Sequence, residues 1–495
     1  MGWIKNMVKT WLDIKEATPQ RYTIYEDKDF RTSCIINKIW MRGDSNELAG
    51  LYKQLPNSEH SFWGSVSTAG MEIKKSHSGL PQLVINKLTD ITISDYNGVD
   101  IEETLVKEFW ETVEKENKFD ELLEECVRDG MSIGDGAIRY CFDPEVSQYP
   151  ILEWIPGDRV EFVYKRGRLI EIDFFFLYEK NKKVYELVER RGYGFIKYEL
   201  YDGQSQVEVN EIIDIVKVQD MTFDKNVMLA TPFMIDKSIK YKGRGASKFE
   251  GKHDAFDSLD EIISQWIEAI RKGRAKTYIP DGLCPRDPNT GEILLPNSFD
   301  NDYIQTEADM TEGATGNKIT VEQPIIPTEN YLESYITYLN LCLQGLISPA
   351  TLGIDNKRVV DPNASYERQL EKTTMYTRSD VIKALNNFIP KIVNTVVNFQ
   401  HILEKKPLEK EIEVTPKFGE YNSPSFDAQI ETMAKARGNT ILSVEAMVDE
   451  LYGDSKTEEW KQDEILRIKE ELGIIELGEP SINQDNSEMD IADNE

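Results

Sequence analysis

The stretch that most restricts how this chain can fold is a pair of amphipathic stripes, residues 247–278 and 328–347, flanking an insert rich in Pro, Gly, Asn and Asp. In the first stripe Phe256, Leu259, Ile263, Trp266 and Ile270 recur at spacings of 3, 4, 3 and 4. Asp254, Glu261, Gln265, Glu268 and Lys272 fall on its other faces, the pattern of a long helix with one buried side. In the second stripe Tyr331, Tyr335, Tyr338 and Cys342 share a side. A helix with a single apolar face gains most of its stability by burying that face, so these stripes must pack on each other or on copies from other chains. The tyrosine face reads as helix packing before it reads as a ligand platform.

The rest of the chain has to build around that unit. Residues 46–140 read mostly as helices, with Leu105, Phe109 and Val113 four apart in one of them. From there to about residue 220 the apolar period changes to two. Val160, Phe162 and Tyr164, and then Ile170, Ile172, Phe174 and Phe176, alternate with their neighbours. Residues 165–168 and 179–183 look like hairpin tips, so the spacing predicts an antiparallel sheet of about six strands. Downstream, a helix of about forty residues is expected from near Ala364, carrying Val381, Leu385, Phe388, Ile392 and Val396, with Pro390 kinking it. One strand (411–418) and helices near 424–436, 443–452 and 456–472 follow. Residues 476–495 hold seven acids and no Lys or Arg, the composition of a disordered tail. The class is α+β.

Charge narrows the function. The 58 Lys+Arg against 88 Asp+Glu give a net charge of −30, the opposite of a protein that coats DNA through its phosphates. The length of 495 residues suggests roughly three domains at about 150 residues each. The five cysteines form no CxxC pair and are odd in number, which fits a reducing compartment. No apolar run is long enough to span a bilayer. Ile4, Met7, Val8 and Trp11 share a helical face that suits docking on protein better than lying on a membrane, so a soluble chain is expected.

Catalytic patterns are weak. His60, His77, His253 and His401 are scattered and have no companions at metal-ligand spacing. Gly130, Ser132 and Gly134 spell GxSxG, but a nucleophile elbow needs a strand before the serine and a helix after it, and here the order is reversed. Residues 243–248 (GRGASK) suggest a phosphate nest but lack P-loop spacing, so a lead-in capped by Ser247 is the expectation. Carboxylates are too common for a pair of them to mark a site, and no metal or other cofactor is expected.

Several segments, in order, resemble the portal proteins of tailed bacteriophages, the siphophage type in particular. Residues 245–260 (GASKFEGKHDAFDSLD), continuing to 271–280 (RKGRAKTYIP), resemble the approach to that family's first stem helix and the exit from it. Residues 346–353 (LISPATLG) and 363–367 (NASYE) resemble the tunnel loop and the start of the next helix, although Ser365 and Tyr366 replace the usual Thr-Glu. Residues 440–443 (TILS) and 464–471 (EILRIKEE) resemble the crown.

The resemblance implies a portal fold. After an N-terminal segment (1–44), the wing would occupy 45–246 and 365–420, and the stem helices 247–278 and 328–347. The clip would be 279–327, the tunnel loop 348–364 and the crown 421–475, ahead of the acidic tail (476–495). It implies a homo-oligomeric ring, usually dodecameric, at one capsid vertex of the virion, assembled in the bacterial cytoplasm. Double-stranded DNA would pass through it, and its partners would be the major capsid and scaffolding proteins, the terminase large subunit and head-completion adaptors. No catalysis is implied. Phe256, Leu259, Ile263, Trp266, Tyr331, Tyr335 and Tyr338 would pack the stem within and between subunits. Lys357 and Arg358, the only basic pair in the tunnel loop, would face the DNA backbone. Taken alone they read as a solvated surface pair. A capsid or baseplate subunit, or an enzyme with an acidic metal site, are the competing expectations.

Overall fold

The computed structural model describes residues 28–56, 58–66, 73–209, 218–294, 303–307, 319–354, 372–419, 437, 443–452 and 457–471. The expected N-terminal docking helix, the helix at 424–436, Lys357, Arg358 and the acidic tail lie outside these residues. The chain divides into two units, Met1–Val360 with Arg368–Gly419, and Asp361–Glu367 with Glu420–Glu495.

In the first unit α1 (Phe30–Arg42) starts where Asp29 accepts a hydrogen bond from the Thr32 amide and stops at Gly43, whose φ of 70° only glycine adopts freely. It buries Cys34, Ile36 and Trp40. The next helix, α2 (Ser45–Gln54), is capped by Asp44. Then come α3 (Leu80–Ile93), β1 (Tyr96–Ile101), α4 (Thr104–Glu116) and α5 (Phe119–Ser132). The buried side of α4 is Trp110 and Val113, while Leu105 is 76% exposed, so the face is rotated from the one its four-residue spacing suggested. Aromatic packing of Trp110 on Phe119 of α5, edge to face at 5.1 Å, sets that rotation.

The period-two region becomes two sheets where the spacing suggested one. Strands β2 (Asp135–Cys141) and β3 (Ile151–Pro156) are followed by β4 (Val160–Lys165), β5 (Arg168–Lys180), β6 (Lys183–Gly192), β7 (Phe195–Asp202), β8 (Ser205–Val207), β9 (Met221–Thr222) and β10 (Ala230–Met234). The last strand returns to pair with β2, giving a sheet in the order β10-β2-β3. Strands β4 to β8, with β9 on β7, form an antiparallel six-stranded sheet. Its hairpin tips fall where the sequence placed them. Arg166 and Gly167 (φ 53° and 79°), and Asn181 and Lys182 (φ 56° and 63°), take the left-handed backbone that tight two-residue turns require. The two sheets are stitched by Arg191, buried, which pairs with Glu189 and donates to the carbonyls of Tyr140 (2.6 Å) and Leu229 (2.7 Å).

The first stripe forms α6 (His253–Lys272), shorter than the expected span, because residues 276–280 leave the helix as strand β11 (Lys276–Pro280). That strand pairs in parallel with β12 (Tyr303–Thr306) and antiparallel with β13 (Thr320–Glu322). The second stripe is α7 (Thr328–Leu343), ended by Gly345 at φ 76°. Helix α8 (Lys372–Leu403) carries Pro390 inside it and buries all five positions of its expected apolar row. Strand β14 (Val414–Phe418) closes the unit by pairing antiparallel with β1, Ile101 opposite Val414.

In the second unit, α9 (Val444–Tyr452) and α10 (Glu458–Glu471) bury Val444, Val448 and Ile465 together. Lys461 Nζ reaches Asp449 at 2.7 Å, and Tyr452 meets Trp460 edge to face at 4.8 Å.

Candidate functional site

The helix pair α6/α7 is held at one end by a lysine. Lys252, the residue before α6, donates from Nζ to the carbonyl oxygens of Leu341 (2.9 Å) and Gln344 (2.8 Å). A cation there satisfies acceptors that the last turn of α7 leaves open and opposes its dipole. The start of α6 therefore lies at the end of α7, and the helices run antiparallel. At that end Phe256 and Leu259 from α6, and Leu339, Cys342 and Leu343 from α7, are buried. Further along, Ile263 is half-buried, and the Trp266 ring stacks on Tyr331 (centroids 6.1 Å apart, planes 7° apart) beside Tyr335 at 6.5 Å. The Trp266 indole N–H is buried without a hydrogen-bond partner among the described residues. Tyr338 departs from this row and is exposed, as are Leu332 and Leu341 on α7 and Ile270 on α6.

Another side of α6 is fixed by carboxylates that helical periodicity does not single out. Asp257 accepts from the amides of Phe62 (2.7 Å) and Trp63 (3.1 Å), and burial raises its pKa. Asp260 accepts from the Trp63 indole N–H (3.1 Å) and the Ser78 amide (2.8 Å), with His77 Nδ1 at 2.6 Å. Ser264 Oγ accepts from the Ser76 amide at 2.9 Å. These groups tie α6 to the segment between α2 and α3. The only sequence signal for them was acidic residues one helical step from the apolar row.

The GRGASK segment is a buried crossing. Arg244 grips Asp135 through Nε (2.9 Å) and Nη2 (2.7 Å) and donates to the carbonyls of Val160 (2.7 Å) and Gly157 (2.6 Å). The Gly245 amide donates to Asp135 at 2.7 Å, so the groups a phosphate would need are already engaged. Glycine is required there because a Cβ on Gly245 would sit 2.0 Å from the Gly134 carbonyl oxygen. Ser247 receives the Phe249 amide (3.0 Å), so it caps the turn before α6 and not the helix itself. Ser132 is buried with its Oγ donating to the Arg128 carbonyl (2.8 Å), inside a helix-turn-strand order that is no nucleophile elbow.

The histidines are dispersed. His253 is bonded through Nε2 to Asn37 (2.9 Å) and pushed down to about 4 by burial. His401 meets the Pro407 carbonyl, and His60 is exposed. Among the described residues no group of three His, Cys, Asp or Glu is placed to hold a metal ion, and no helix is long and apolar enough to cross a membrane. Beyond α7, Ser348 and Thr351 are both bonded to Thr374 Oγ1 (2.9 and 2.8 Å), and Thr377 Oγ1 donates to the Leu346 carbonyl (2.7 Å). The chain just after α7 and the start of α8 are thus tied to each other.

No protein-family model and no curated protein matches the chain. Solved structures with a distant likeness include a chain from the virion of a native gene transfer agent particle. It is 11% identical, with a TM-score of 0.41 over 89% of this chain and 96% of that one.

Proposed function

We propose that this chain is a portal subunit, one of a ring, usually of twelve, that sits at a capsid vertex and passes double-stranded DNA during packaging and ejection. The observation that carries the reading is the antiparallel α6/α7 pair, closed by Lys252, packed through Trp266 on Tyr331, and bearing a small sheet between its helices. Two of the portal-like sequence segments, 245–280 and 346–353, open and follow that unit in the expected order. The apolar side chains α6 and α7 leave exposed suit contacts between copies, and Val321 of the small sheet, with Ile325 at 96% exposure in the segment that follows it, suits a docked terminase or head-completion adaptor. Capsid and scaffolding proteins would surround the ring in the virion, after assembly in the host cytoplasm.

The charge suits a conduit. Each phosphate neutralised by the wall adds counterion-release affinity and would hold DNA back. An acidic wall repels it over roughly 8–10 Å, the Debye length. In this reading Lys357 and Arg358 are the local exception, and the subunit itself catalyses nothing. Negative-stain imaging of the purified chain tests the proposal. Rings with a central hole are expected. Sheets, spikes or closed shells would assign the chain to another structural class of the virion, and metal-dependent turnover by a monomer would assign it to an enzyme.

A further inference from the structure

Beside the Arg244 crossing lies a cavity of 340 Å³, at the small end of the range for small-molecule sites. Its walls come from α1, the end of α2 with the chain after it, and residues 240–254. Lys28, half-buried, and Lys240, exposed, both line it. Neither ammonium group has an ion-pair or hydrogen-bond partner among the described residues. Their neighbours differ, since Lys38, Lys248 and Arg244 each hold an aspartate.

The same walls offer acceptors. Asn37 is buried, and its side-chain oxygen accepts from His253 Nε2 at 2.9 Å. Burial, with the charges of Lys28 and Lys240, pushes this histidine down to about 4, so the ring is neutral at pH 7. Its hydrogen is then on Nε2, and Nδ1 is an acceptor with no partner among the described residues. Glu250 and Asp254 add carboxylates to the lining, and Glu250 also takes the Ser238 hydroxyl at 3.2 Å.

Two cations without partners suit an oxyanion, and acceptors beside them suit one that still carries a hydrogen. Sulfate meets only the first demand. Inorganic phosphate meets both at neutral pH, whereas a phosphate monoester keeps its hydrogen only below about pH 6. We propose that this cavity binds a phosphate group bearing a hydrogen, with Lys28 and Lys240 on its oxygens and His253 Nδ1 accepting its O–H. Arg244 and the Gly245 amide stay engaged with Asp135 and take no part. The inference does not depend on the portal reading, since a chain that forms no rings can still hold the anion.

Isothermal titration of the full-length protein with inorganic phosphate, in chloride buffer at pH 7, tests it. Saturable uptake of one phosphate per chain is expected, about tenfold or more tighter than sulfate. Lys28→Gln/Lys240→Gln should weaken it by about tenfold or more, while Lys237→Gln, an exposed lysine outside the cavity, should bind as the parent does. In nuclear magnetic resonance spectra of the parent, phosphate should move the His253 ring signals and leave those of His401 in place. Glycerol 3-phosphate at pH 6 separates the sources: tighter binding than inorganic phosphate assigns the site to a monoester, and weaker binding assigns it to the free ion. Absence of saturable uptake overturns the proposal. Equal affinity for sulfate, an unmoved His253 ring or undiminished uptake by the glutamine pair also overturns it.

Discussion

Replacing Trp266 separates what the indole ring contributes from what its N–H costs. In Trp266→Ala the stack on Tyr331 and the contact with Tyr335 are lost. Such aromatic pairs contribute about 0.5–1.5 kcal/mol each beyond burial. A fully buried Trp→Ala costs about 3–5 kcal/mol, and the half-buried position of this one brings the expectation to about 3. Trp266→Phe keeps a ring against Tyr331 and removes a buried N–H that has no partner among the described residues. Leaving such a donor unpaired costs on the order of 1–3 kcal/mol, so the smaller ring should lose about 1 kcal/mol or less. Urea unfolding followed by far-ultraviolet circular dichroism reads the two differences, with ring formation scored by negative stain. The expected order is parent, then Phe close behind, then Ala well below and unable to form rings. Equal destabilisation by Phe and Ala would refute the reasoning, because it would mean that the indole N–H is engaged in the assembled protein. Intact rings of unchanged stability in the Ala variant would count against this helix pair as the stem.

Three other outcomes are expected. Arg244→Met leaves Asp135 buried and uncompensated and should destabilise by about 3–5 kcal/mol, whereas the double change Arg244→Met/Asp135→Asn should recover part of that loss; a double variant no better than the single in urea unfolding would refute the pairing. Asp173 is raised to about 7 by burial and by the neighbouring Glu171, with Arg190 opposing, so its contribution is full below the unfolded value near 3.8 and is lost as pH rises through 7. Asp173→Asn should therefore gain in melting temperature relative to the parent between pH 5 and pH 8, and a constant difference across that window would contradict the assignment. Lys357→Ala/Arg358→Ala should leave ring assembly intact while packaged DNA is retained less well, more so at low salt, and full retention at every salt concentration would make the pair surface decoration.

What the sequence revealed was what local pattern determines. The hairpin tips at 165–168 and 179–183 were legible because alternating runs on both sides leave only a tight turn between them. The α8 row from Val381 to Val396 was legible because it is buried along its whole length. Distant partners were not legible. Nothing near residues 135–156 announces that β10 will draw β2 and β3 into a separate sheet, nor does helical period show that 276–280 will be captured by β12 and β13. Helix α1 went unread although its caps, Asp29 and Gly43, are present in the sequence. The carboxylates Asp257 and Asp260 find their partners some 180 to 197 residues away, a separation that no spacing rule reaches.

The lysine clasp at the base of the helix pair makes it a lever. Lys252 fixes α6 to α7 at one end, while the sheet formed by β11, β12 and β13 is carried at the other. A helix of 20 residues is about 30 Å long. A tilt of about 5° where Asp257 and Asp260 hold α6 leaves an arm of about 18–22 Å to Lys272 and would swing that end by about 1.6–2 Å. That is enough to exchange one set of side-chain contacts for another. A load placed on the small sheet would therefore be felt at the segment between α2 and α3, and a displacement there would be returned to the sheet, through rigid helices alone.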